Sequence, residues 1–375
     1  MSKQNVHAIV MPTEACNLAC VYCYVLEKSA ERMSIPLAEH VVDELLNYNA
    51  PDQPTKIIWH GGEPLLAGMD FYKHICSYIH KHYPEHVVQH FIQTNGVLLN
   101  DEWIDFFLEE KFNVGVSLDG WKELHDACRK FYNGQGTFDK IFQNILHARS
   151  KGLIAGVLSV VTRHTVGHEK EFFDFFCGHK LDFGFHPITP LSPWMNQELA
   201  ITPEEFAEVS VKLFDLGFFQ PEPRVTSVTP TLHYAMAVMM GYPSGFCVLS
   251  ENCAAEYLSI EPTGRVQACD RFAGNMALTF GNIATNSLRE ILDSPVRQEF
   301  LERWQVVSEK CTGCEWASIC YGGCPHEAYA KTGSIFEPDP NCEAYKRIFS
   351  HISNTIAREL EKAGNKPSED FGRVR

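Results

Sequence analysis

Apolar and polar positions along the first half of the chain form blocks that predict strands and helices in turn. Short apolar runs that end in polar or glycine-rich turns predict six strands. Segments with apolar residues at helical spacing lie between these runs and predict five helices. The predicted strands span residues 5–12, 55–64, 87–96, 112–120, 154–162 and 181–189, and the predicted helices span residues 37–48, 70–82, 101–110, 137–150 and 168–179.

Strands that alternate with helices in this way predict an α/β domain with a parallel sheet. Each predicted strand ends in a polar or glycine-rich turn, so we expect the carboxyl edge of the sheet to carry the chemistry, as in α/β barrels generally. Pro187, Pro190 and Pro193 mark a break after the sixth strand. Two further helices are predicted at 203–217 and 231–240, before a cysteine-rich region.

Charge and hydropathy narrow the class of protein. The net charge of -15, from 47 acidic and 32 basic residues, disfavours nucleic acid or an anionic membrane surface as a partner. No apolar run approaches the roughly 18 residues of a membrane span, and residues 1–15 contain no signal-peptide core. We therefore expect a cytoplasmic protein. The first predicted strand begins so early that no room is expected for a leader-peptide recognition domain before it.

Three of the 14 cysteines follow the first predicted strand, in the pattern C-x3-C-x2-C. In a chain without an export signal, clustered thiols indicate metal binding rather than disulfides. Cys16, Cys20 and Cys23 can hold three irons of a [4Fe–4S] cluster and leave the fourth iron open to a small chelating molecule, such as an amino acid. The same spacing also fits a zinc site completed by a histidine elsewhere, or buried cysteines.

Eight more cysteines are spaced C-x5-C-x15-C and, after a gap of 41 residues, C-x2-C-x5-C-x3-C-x17-C. They make two complete sets of four ligands, and the spacing alone leaves open two iron–sulfur clusters or two zinc ribbons. Of the scattered cysteines, Cys76 and Cys177 lie in aromatic-rich helical stretches and are expected to be buried. The eight clustered cysteines are Cys247, Cys253, Cys269, Cys311, Cys314, Cys320, Cys324 and Cys342.

The first triplet, with Tyr22 before its last cysteine, resembles the signature of the radical S-adenosylmethionine (SAM) superfamily. In that family the open iron binds SAM, whose reductive cleavage gives a 5′-deoxyadenosyl radical that abstracts hydrogen from carbon. The strand-end segments "GGEP" (61–64), "QTNG" (93–96) and "VSLDG" (116–120) extend the resemblance, which implies a partial (β/α)6 barrel of the TIM type. It places the following residues at the cofactor: Tyr22, Gly61, Gly62, Glu63, Pro64, Thr94, Asn95, Ser117, Asp119 and Arg129.

The resemblance also implies individual roles within this set. Glu63 would accept a hydrogen bond from the methionine amino group, and the two glycines before it would let the backbone approach the ligand. Ser117 and Asp119 would contact the ribose or the methionine, and Arg129 would contact the methionine carboxylate. Taken alone, the glycine turn predicts only a turn, and Arg129 alone predicts a surface residue.

The eight clustered cysteines resemble the SPASM domain of radical enzymes that modify peptides and proteins. The resemblance implies two auxiliary [4Fe–4S] clusters that pass electrons, and hence three clusters in all. It assigns Cys247, Cys253, Cys269 and Cys324 to the cluster nearer the substrate, and Cys311, Cys314, Cys320 and Cys342 to the outer cluster. The implied organisation is a radical SAM barrel (1–195), a helical connection (196–245), a small SPASM domain (246–346), and a C-terminal helix with a polar tail (347–375).

Asp270 directly follows one of these cysteines, in "QACDRF". It resembles the proposed base of the anaerobic sulfatase maturases, which make formylglycine from cysteine or serine. A carboxylate beside an electron-accepting cluster suits an oxidation that releases an electron and a proton. The structural alternative is a turn aspartate that caps a helix or pairs with Arg271.

Two families of maturase share this architecture, and their products differ. The phrases "WHGGEPLLAG", "GVSLDG" and "CDRFAG" resemble the maturases that cross-link ribosomal peptides into cyclophanes, which is therefore the expected activity. Formylglycine formation on a sulfatase is the alternative. Both reactions begin at a β-hydrogen and imply a peptide or protein substrate and an external electron donor such as flavodoxin or ferredoxin. A non-catalytic electron carrier or zinc-stabilised binding protein is the alternative of another class, which cleavage of SAM would exclude.

Overall fold

Strands and helices alternate through the N-terminal half of the protein, whereas the C-terminal half is mainly helical and has only short strands. The computed structural model describes residues 5–25, 28–188, 197–221 and 226–364. The strands are β1 (His7–Thr13), β2 (Thr55–Gly61), β3 (Val88–Thr94), β4 (Asn113–Ser117), β5 (Ala155–Val161), β6 (Phe183–Pro187), β7 (Val228–Thr229), β8 (Tyr257–Ile260), β9 (Arg265–Gln267) and β10 (Gly281–Asn282).

The helices vary from one turn to 21 residues in length. Short 3₁₀ helices lie at Pro64–Ala67, Gln197–Leu199, Cys247–Leu249, Asp270–Phe272 and Met276–Leu278. The α-helices are α1 (Ile35–Tyr48), α2 (Met69–His82), α3 (Asp101–Glu109), α4 (Lys122–Cys128), α5 (Phe138–Ser150), α6 (Glu169–Gly178), α7 (Pro203–Phe218), α8 (Thr231–Met240), α9 (Cys253–Glu256), α10 (Leu288–Leu292), α11 (Pro295–Lys310), α12 (Ala317–Cys320), α13 (Pro325–Thr332) and α14 (Cys342–Lys362).

The chain divides into two compact units, each built from several segments. The first unit comprises Met1–Leu118, His125–Gly156 and Ala254–Leu301. The second unit comprises Asp119–Leu124, Val157–Cys253 and Glu302–Arg375.

The sheet of the first unit has the strand order β10-β9-β8-β1-β2-β3-β4. β1 pairs in parallel with β2 and with β8, so that Ala8 lies opposite both Ile57 and Leu258. β2, β3 and β4 continue the parallel arrangement, whereas β9 and β10 are antiparallel to their neighbours. Because the carboxyl ends of parallel strands share one edge, the loops after β1, β2 and β3 meet there.

Helix caps and aromatic packing fix the helices of the first unit to this sheet. Ser34 caps α1 by accepting a hydrogen bond from the backbone N–H of Leu37 (3.3 Å), and Pro36 occupies the first turn. Trp59 of β2 contacts Tyr72 of α2 edge to face, with ring centroids 5.3 Å apart. Burial of a large apolar side chain contributes roughly 1.5–3 kcal/mol, so this aromatic contact anchors α2 beneath the strand that carries the glycine turn.

The second unit combines three parallel strands, in the order β5-β6-β7, with a helical layer. α7 begins with a capping box between Thr202 and Glu205. α7 packs against α14, where the rings of Phe206 and Tyr345 have centroids 6.0 Å apart. These contacts hold the C-terminal helix, whose first residue is a clustered cysteine, in place within the unit.

All six predicted strands and all seven helices predicted between residues 37 and 240 are present, with ends that differ by up to three residues. The α/β fold with a parallel sheet is thereby confirmed. The pattern did not predict α4, nor that β8, β9 and β10 extend the sheet beside β1. The predicted division into four segments stays a prediction. The break at Pro190 and Pro193 and the tail after Gly364 lie outside the described residues.

None of the helices in the described part of the chain is long and apolar enough to cross a membrane.

Candidate active site

The loop that follows β1 carries the first three cysteines and is tied to the segment after α4. The backbone N–H of Ala19 donates to the carbonyl of Lys130 (2.8 Å), and that of Val21 donates to the carbonyl of Cys128 (3.0 Å). Cys16, Cys20 and Cys23 are all half-buried in this loop. The loop therefore has a fixed backbone at the sheet edge where chemistry was predicted.

The glycine turn after β2 clamps the start of the same loop. The N–H of Gly62 donates to the carbonyl of Thr13 (3.1 Å), and that of Glu63 donates to the carbonyl of Ala15 (2.7 Å). A Cβ atom on Gly62 would lie 2.3 Å from the oxygen of Ala15, and one on Gly61, where φ is 116°, would lie 2.7 Å from the oxygen of Thr13. In this structure the close approach that requires glycine is the approach of residues 13–15, a contact that the sequence did not predict.

Glu63 is fully buried and connects the end of β2 to the end of β3. Its Oε1 accepts hydrogen bonds from the N–H of Leu65 (3.0 Å) and the hydroxyl of Thr94 (2.7 Å), and its Oε2 accepts from the N–H of Asn95 (2.8 Å). Burial raises the pKa of this carboxyl, although the three hydrogen bonds oppose the shift. The carboxylate already has three donors from the protein, and its predicted contact with a methionine amino group stays a prediction.

Asn95 links Glu63 to the cysteine loop. Its Oδ1 accepts from the N–H of Val97 (3.0 Å), which orients Nδ2 towards Oδ1 of Asn17 (2.7 Å) and Sγ of Cys16 (3.8 Å). Burial raises the pKa of the Cys16 thiol to about 11. A thiolate at this position therefore needs a cation beside it, which iron provides when bound. The three half-buried thiols and this amide donor fit an iron–sulfur cluster.

Arg129 and Tyr22 form a buried pair beside the cysteines. Nη1 of Arg129 donates to the hydroxyl of Tyr22 (2.7 Å), and the guanidinium lies 5.9 Å from the centre of the ring. Arg129 is only 8% exposed, so it is not the surface residue that an isolated arginine would predict. Its charge also acts on Glu63, where it opposes the rise in pKa. Its contact with the cofactor carboxylate stays a prediction.

The remaining predicted cofactor residues are held by neighbouring strands and helices. Ser117 ends β4, and its hydroxyl accepts a hydrogen bond from the side chain of Gln93 (3.1 Å). Pro64 opens a 3₁₀ helix, and its carbonyl accepts from the hydroxyl of Tyr72 (2.8 Å). In the second unit, Asp119 is buried and accepts from the N–H of Val160 (3.0 Å).

Asp270 lies in a three-residue cluster that the sequence analysis did not predict. Its Oδ2 accepts a hydrogen bond from the hydroxyl of Tyr24 and lies 2.9 Å from Nδ1 of His60. The hydroxyl of Tyr24 is also 3.2 Å from Nδ1 of His60. The side chains of Asp270 and His60 are 14% and 24% exposed. The sequence positions of Tyr24 and His60 could have indicated this cluster, because Tyr24 follows Cys23 and His60 directly precedes the glycine turn.

The charges of this cluster depend on one another. Burial alone would raise the pKa of Asp270, but the charge and hydrogen bond of His60, with the hydroxyl of Tyr24, hold it well below its usual range. Burial lowers the pKa of His60, but Asp270 outweighs that effect and raises it. The pair therefore exists as imidazolium and carboxylate over a widened pH range, and Asp270 becomes a stronger base once His60 loses its proton.

Four of the C-terminal cysteines lie around one small cavity in the second unit. Trp316, Tyr345 and Phe349 contribute the apolar part of its wall. Asp339 and Lys346 also line it, and its four thiols match the ligands that a [4Fe–4S] cluster requires. The cysteines are Cys311, Cys314, Cys320 and Cys342, the set that the resemblance assigned to the outer cluster.

The other predicted set is divided between the units. Cys247, Cys253 and Cys324 lie in the second unit and Cys269 lies in the first, so this set stays a prediction. Among the described residues, no three His, Cys, Asp or Glu side chains are arranged to hold a single metal ion. Of the two scattered cysteines expected to be buried, Cys76 is buried, whereas Cys177 is only half-buried because it lies near the exposed end of α6.

Comparison with known families identifies two domains. Residues 10–176 match the model of the radical SAM superfamily, and residues 247–315 match the model of an iron–sulfur cluster-binding domain, SPASM. The first match contains the cysteine loop and the strand-end segments described above. The second contains Cys247, Cys253, Cys269, Cys311 and Cys314.

Similar proteins cover almost the whole chain. A serine-type anaerobic sulfatase-maturating enzyme of Bacteroides thetaiotaomicron is 30% identical over 377 residues, covering 92% of this chain and 89% of the relative. A cysteine-type anaerobic sulfatase-maturating enzyme of Clostridium novyi is 29% identical over 381 residues, covering 94% and 99%. The solved structure of native anSMEcpe with bound AdoMet and Cp18Cys peptide has a TM-score of 0.86 at 26% identity, covering 96% of this chain and 99% of that one.

Proposed function

Because the chain belongs to the radical SAM superfamily and to the family of the anaerobic sulfatase-maturating enzymes, we propose that it oxidises a cysteine or serine of a protein substrate to formylglycine. It is a radical SAM enzyme of the maturase type with a SPASM domain. Its cofactors are SAM, the [4Fe–4S] cluster of the radical SAM domain and the auxiliary iron–sulfur clusters of the SPASM domain. The expected cyclophane cross-link is not confirmed.

The observation that carries the proposal is the cluster of Asp270, His60 and Tyr24 in a chain that resembles sulfatase-maturating enzymes from end to end. Relatives of both the cysteine and the serine type align with nearly all of it, so similarity does not select one target residue. Asp270 follows Cys269, a proposed ligand of the auxiliary cluster nearer the substrate. A carboxylate there lies beside a proposed electron acceptor.

The residues of the cysteine loop fix the position of the cofactors. Cys16, Cys20 and Cys23 would hold three irons, and Asn95 would donate to the sulfur of Cys16. The clamp between Gly62 and Thr13 keeps that loop at the sheet edge. When bound, the cluster and SAM supply a 5′-deoxyadenosyl radical able to remove a β-hydrogen.

Asp270 is the proposed acceptor of the proton that the oxidation releases. Oxidation of the CH₂–SH group of cysteine to a thioaldehyde removes two electrons and two protons. One of each would leave as the β-hydrogen atom, an auxiliary cluster held by the SPASM cysteines would accept the second electron, and Asp270 would accept the thiol proton. Water then replaces the sulfur, which leaves as hydrogen sulfide. A serine follows the same steps and yields the aldehyde without the exchange of sulfur for oxygen.

Two sulfatase-derived peptides that differ only in cysteine or serine at the target position test the proposal. The cysteine peptide should lose about 18 Da, whereas the serine peptide should lose about 2 Da, because proton and electron loss alone changes its mass. A cross-link also loses about 2 Da by the same count, so an aminooxy reagent is added to label the aldehyde. An aldehyde in either peptide supports the proposal. SAM cleavage with a loss of 2 Da and no aldehyde in both peptides would overturn it.

A further inference from the structure

Arg303 of α11 is a buried cation that is held by backbone carbonyl groups. Its exposure is 3%. Nε donates to Ile335 (2.7 Å), Nη1 donates to Tyr321 (3.2 Å), and Nη2 donates to Gly322 (3.2 Å) and to Glu337 (3.0 Å), in each case to the carbonyl oxygen. The carboxylate of Glu337 pairs instead with the exposed Lys310 (2.6 Å).

The ion pairs of the described residues do not include Arg303, although one buried carboxyl group lies in its surroundings. This is Asp339, whose oxygens accept from the N–H groups of Cys324 (3.0 Å) and Asn341 (2.8 Å). A buried guanidinium is costly unless anions compensate it. The charge on Arg303 is therefore available to other anionic groups nearby.

Two of the carbonyl groups that hold Arg303, those of Tyr321 and Gly322, lie in the chain between Cys320 and Cys324. The charge of Arg303 acts on Cys253, Cys320 and Cys324, and also on Cys311. These residues belong to both predicted auxiliary sets. Four-thiolate [4Fe–4S] clusters are anionic and become more so on reduction, so a nearby fixed cation favours the reduced form.

A single peptide unit extends this effect to a ligand sulfur. The carbonyl of Tyr321 accepts the hydrogen bond from Nη1 of Arg303, and the N–H of the same peptide unit, on Gly322, donates to the sulfur of Cys320. A cation on the carbonyl polarises the peptide and strengthens its N–H as a donor. Hydrogen bonds to ligand sulfurs favour reduction of iron–sulfur clusters.

The backbone between Cys320 and Cys324 is bent, which allows this arrangement. Tyr321, Gly322 and Gly323 all have left-handed φ values, of 49°, 75° and 70°. Tyrosine in this region costs free energy that surrounding contacts must supply. A Cβ atom on Gly322 would lie 2.4 Å from the side chain of Val307, on the same helix as Arg303. The helix and its guanidinium thus determine how the peptide faces Cys320.

We propose that Arg303 is a positioning residue that raises the reduction potential of the auxiliary clusters, so that they accept the electron released by the substrate. The electron-accepting role rests on the proposed function, whereas the effect on potential does not. It rests on the burial of Arg303, its four carbonyl partners and the cysteines on which its charge acts.

Arg297 is a matched control on the same helix. It is 8% exposed and also donates to backbone carbonyls, those of Ala254 (3.1 Å) and Leu292 (2.8 Å) among them. Besides burial, the groups that shift the pKa of Arg297 are Tyr48 and Asp293. Its replacement therefore removes a buried guanidinium of the same kind, but one whose pKa the described cysteines do not shift.

The test compares R303Q, R303K and R297Q as full-length, anaerobically reconstituted proteins. Iron content is measured first, and the midpoint potential of each cluster is then followed by EPR-monitored redox titration. R303Q should lower the potential of at least one auxiliary cluster enough to change its reduced-to-oxidised ratio about tenfold at fixed potential, which is about 59 mV for one electron. R303K should give a smaller decrease, because lysine keeps the charge but cannot hold four carbonyls. The midpoint potentials of R297Q should be unchanged, and so should the potential of the N-terminal cluster in the Arg303 variants.

Unchanged potentials in an iron-replete R303Q would overturn the proposal, as would an equal decrease in R297Q. If R303Q does not retain its iron, R303K decides, and an unchanged auxiliary potential in that variant overturns the proposal. These titrations need no substrate, so a cross-linked product would refute the proposed function and leave this result standing. With substrate present, R303Q should still cleave SAM but yield less product per 5′-deoxyadenosine.

Discussion

Nδ1 of His60 lies 2.9 Å from Oδ2 of Asp270, although 210 residues separate them in the chain. His60 is the last residue but one of β2, and Asp270 follows the hairpin of β8 and β9. The hydroxyl of Tyr24 completes the contact. His60 therefore holds the proposed base, Asp270, in place and also controls its pKa.

Replacement of Asp270 by asparagine should separate radical formation from product formation. Asparagine keeps the size of the side chain but cannot readily accept a proton, and loss of a general base typically costs about 10²–10⁴-fold in the step it serves. D270N should keep all of its iron and still cleave SAM, and a β-deuterated substrate should still pass its label to 5′-deoxyadenosine. Mass spectrometry of the peptide should show little product. Full product formation, or a loss of iron with the product, would contradict this role.

The pKa shifts predict how product formation depends on pH. Below the raised pKa of His60 the imidazolium keeps Asp270 a weak base, and above that pKa the neutral imidazole leaves it a stronger one. Product formed per 5′-deoxyadenosine should therefore increase with pH, with a midpoint above the ordinary histidine value of about 6.5. In H60N, which keeps a polar atom near the position of Nδ1, this increase should move to lower pH or disappear. An identical profile in H60N would show that His60 does not control Asp270.

Iron analysis tests the assignment of the cysteines. Three [4Fe–4S] clusters predict about 12 iron and 12 sulfide per reconstituted chain. Replacement of Cys16, Cys20 and Cys23 together by alanine should remove about four irons and abolish SAM cleavage. The matched control is C76A, because this buried cysteine lies in α2 and should affect stability without affecting iron. A chain that binds zinc and lacks visible absorption would refute the cluster assignment.

Glu63 and Ser117 should both affect SAM binding, but Glu63 should also affect stability. E63A leaves buried donors on Leu65, Thr94 and Asn95 without their acceptor, at a cost of about 1–3 kcal/mol for each unsatisfied group. S117A removes one hydroxyl that accepts from Gln93 and should leave the melting temperature almost unchanged. Both variants should keep their iron and bind SAM more weakly in equilibrium titrations. Wild-type SAM affinity in both would remove these residues from the site.

The hydrophobic pattern was sufficient to predict the elements that carry the N-terminal site. The strands that end near Gly61, Thr94 and Ser117 are short and apolar, and each is followed by polar residues. Such a pattern reports local backbone preference and burial, and those two factors determine where a strand ends. The resemblance to the SPASM domain likewise predicted which four thiols share the cavity of the second unit, whereas their spacing alone predicted only two sets of four ligands.

Pairing between strands that are distant in the chain produced the contacts that the sequence did not predict. The pattern gave no reason for β8 to pair with β1, yet this pairing brings the segment of Asp270 into the first unit with His60 and Tyr24. Likewise, Glu63 suggested a ligand acceptor, whereas its burial against Thr94 and Asn95 makes it a link between strands. The residue pattern predicted most of the elements of the N-terminal half, the clustered thiols and the chemistry that they suit. Only the tertiary structure determined the partners of each polar group, because contacts between distant segments depend on the packing of the whole sheet and leave no local periodicity in the chain.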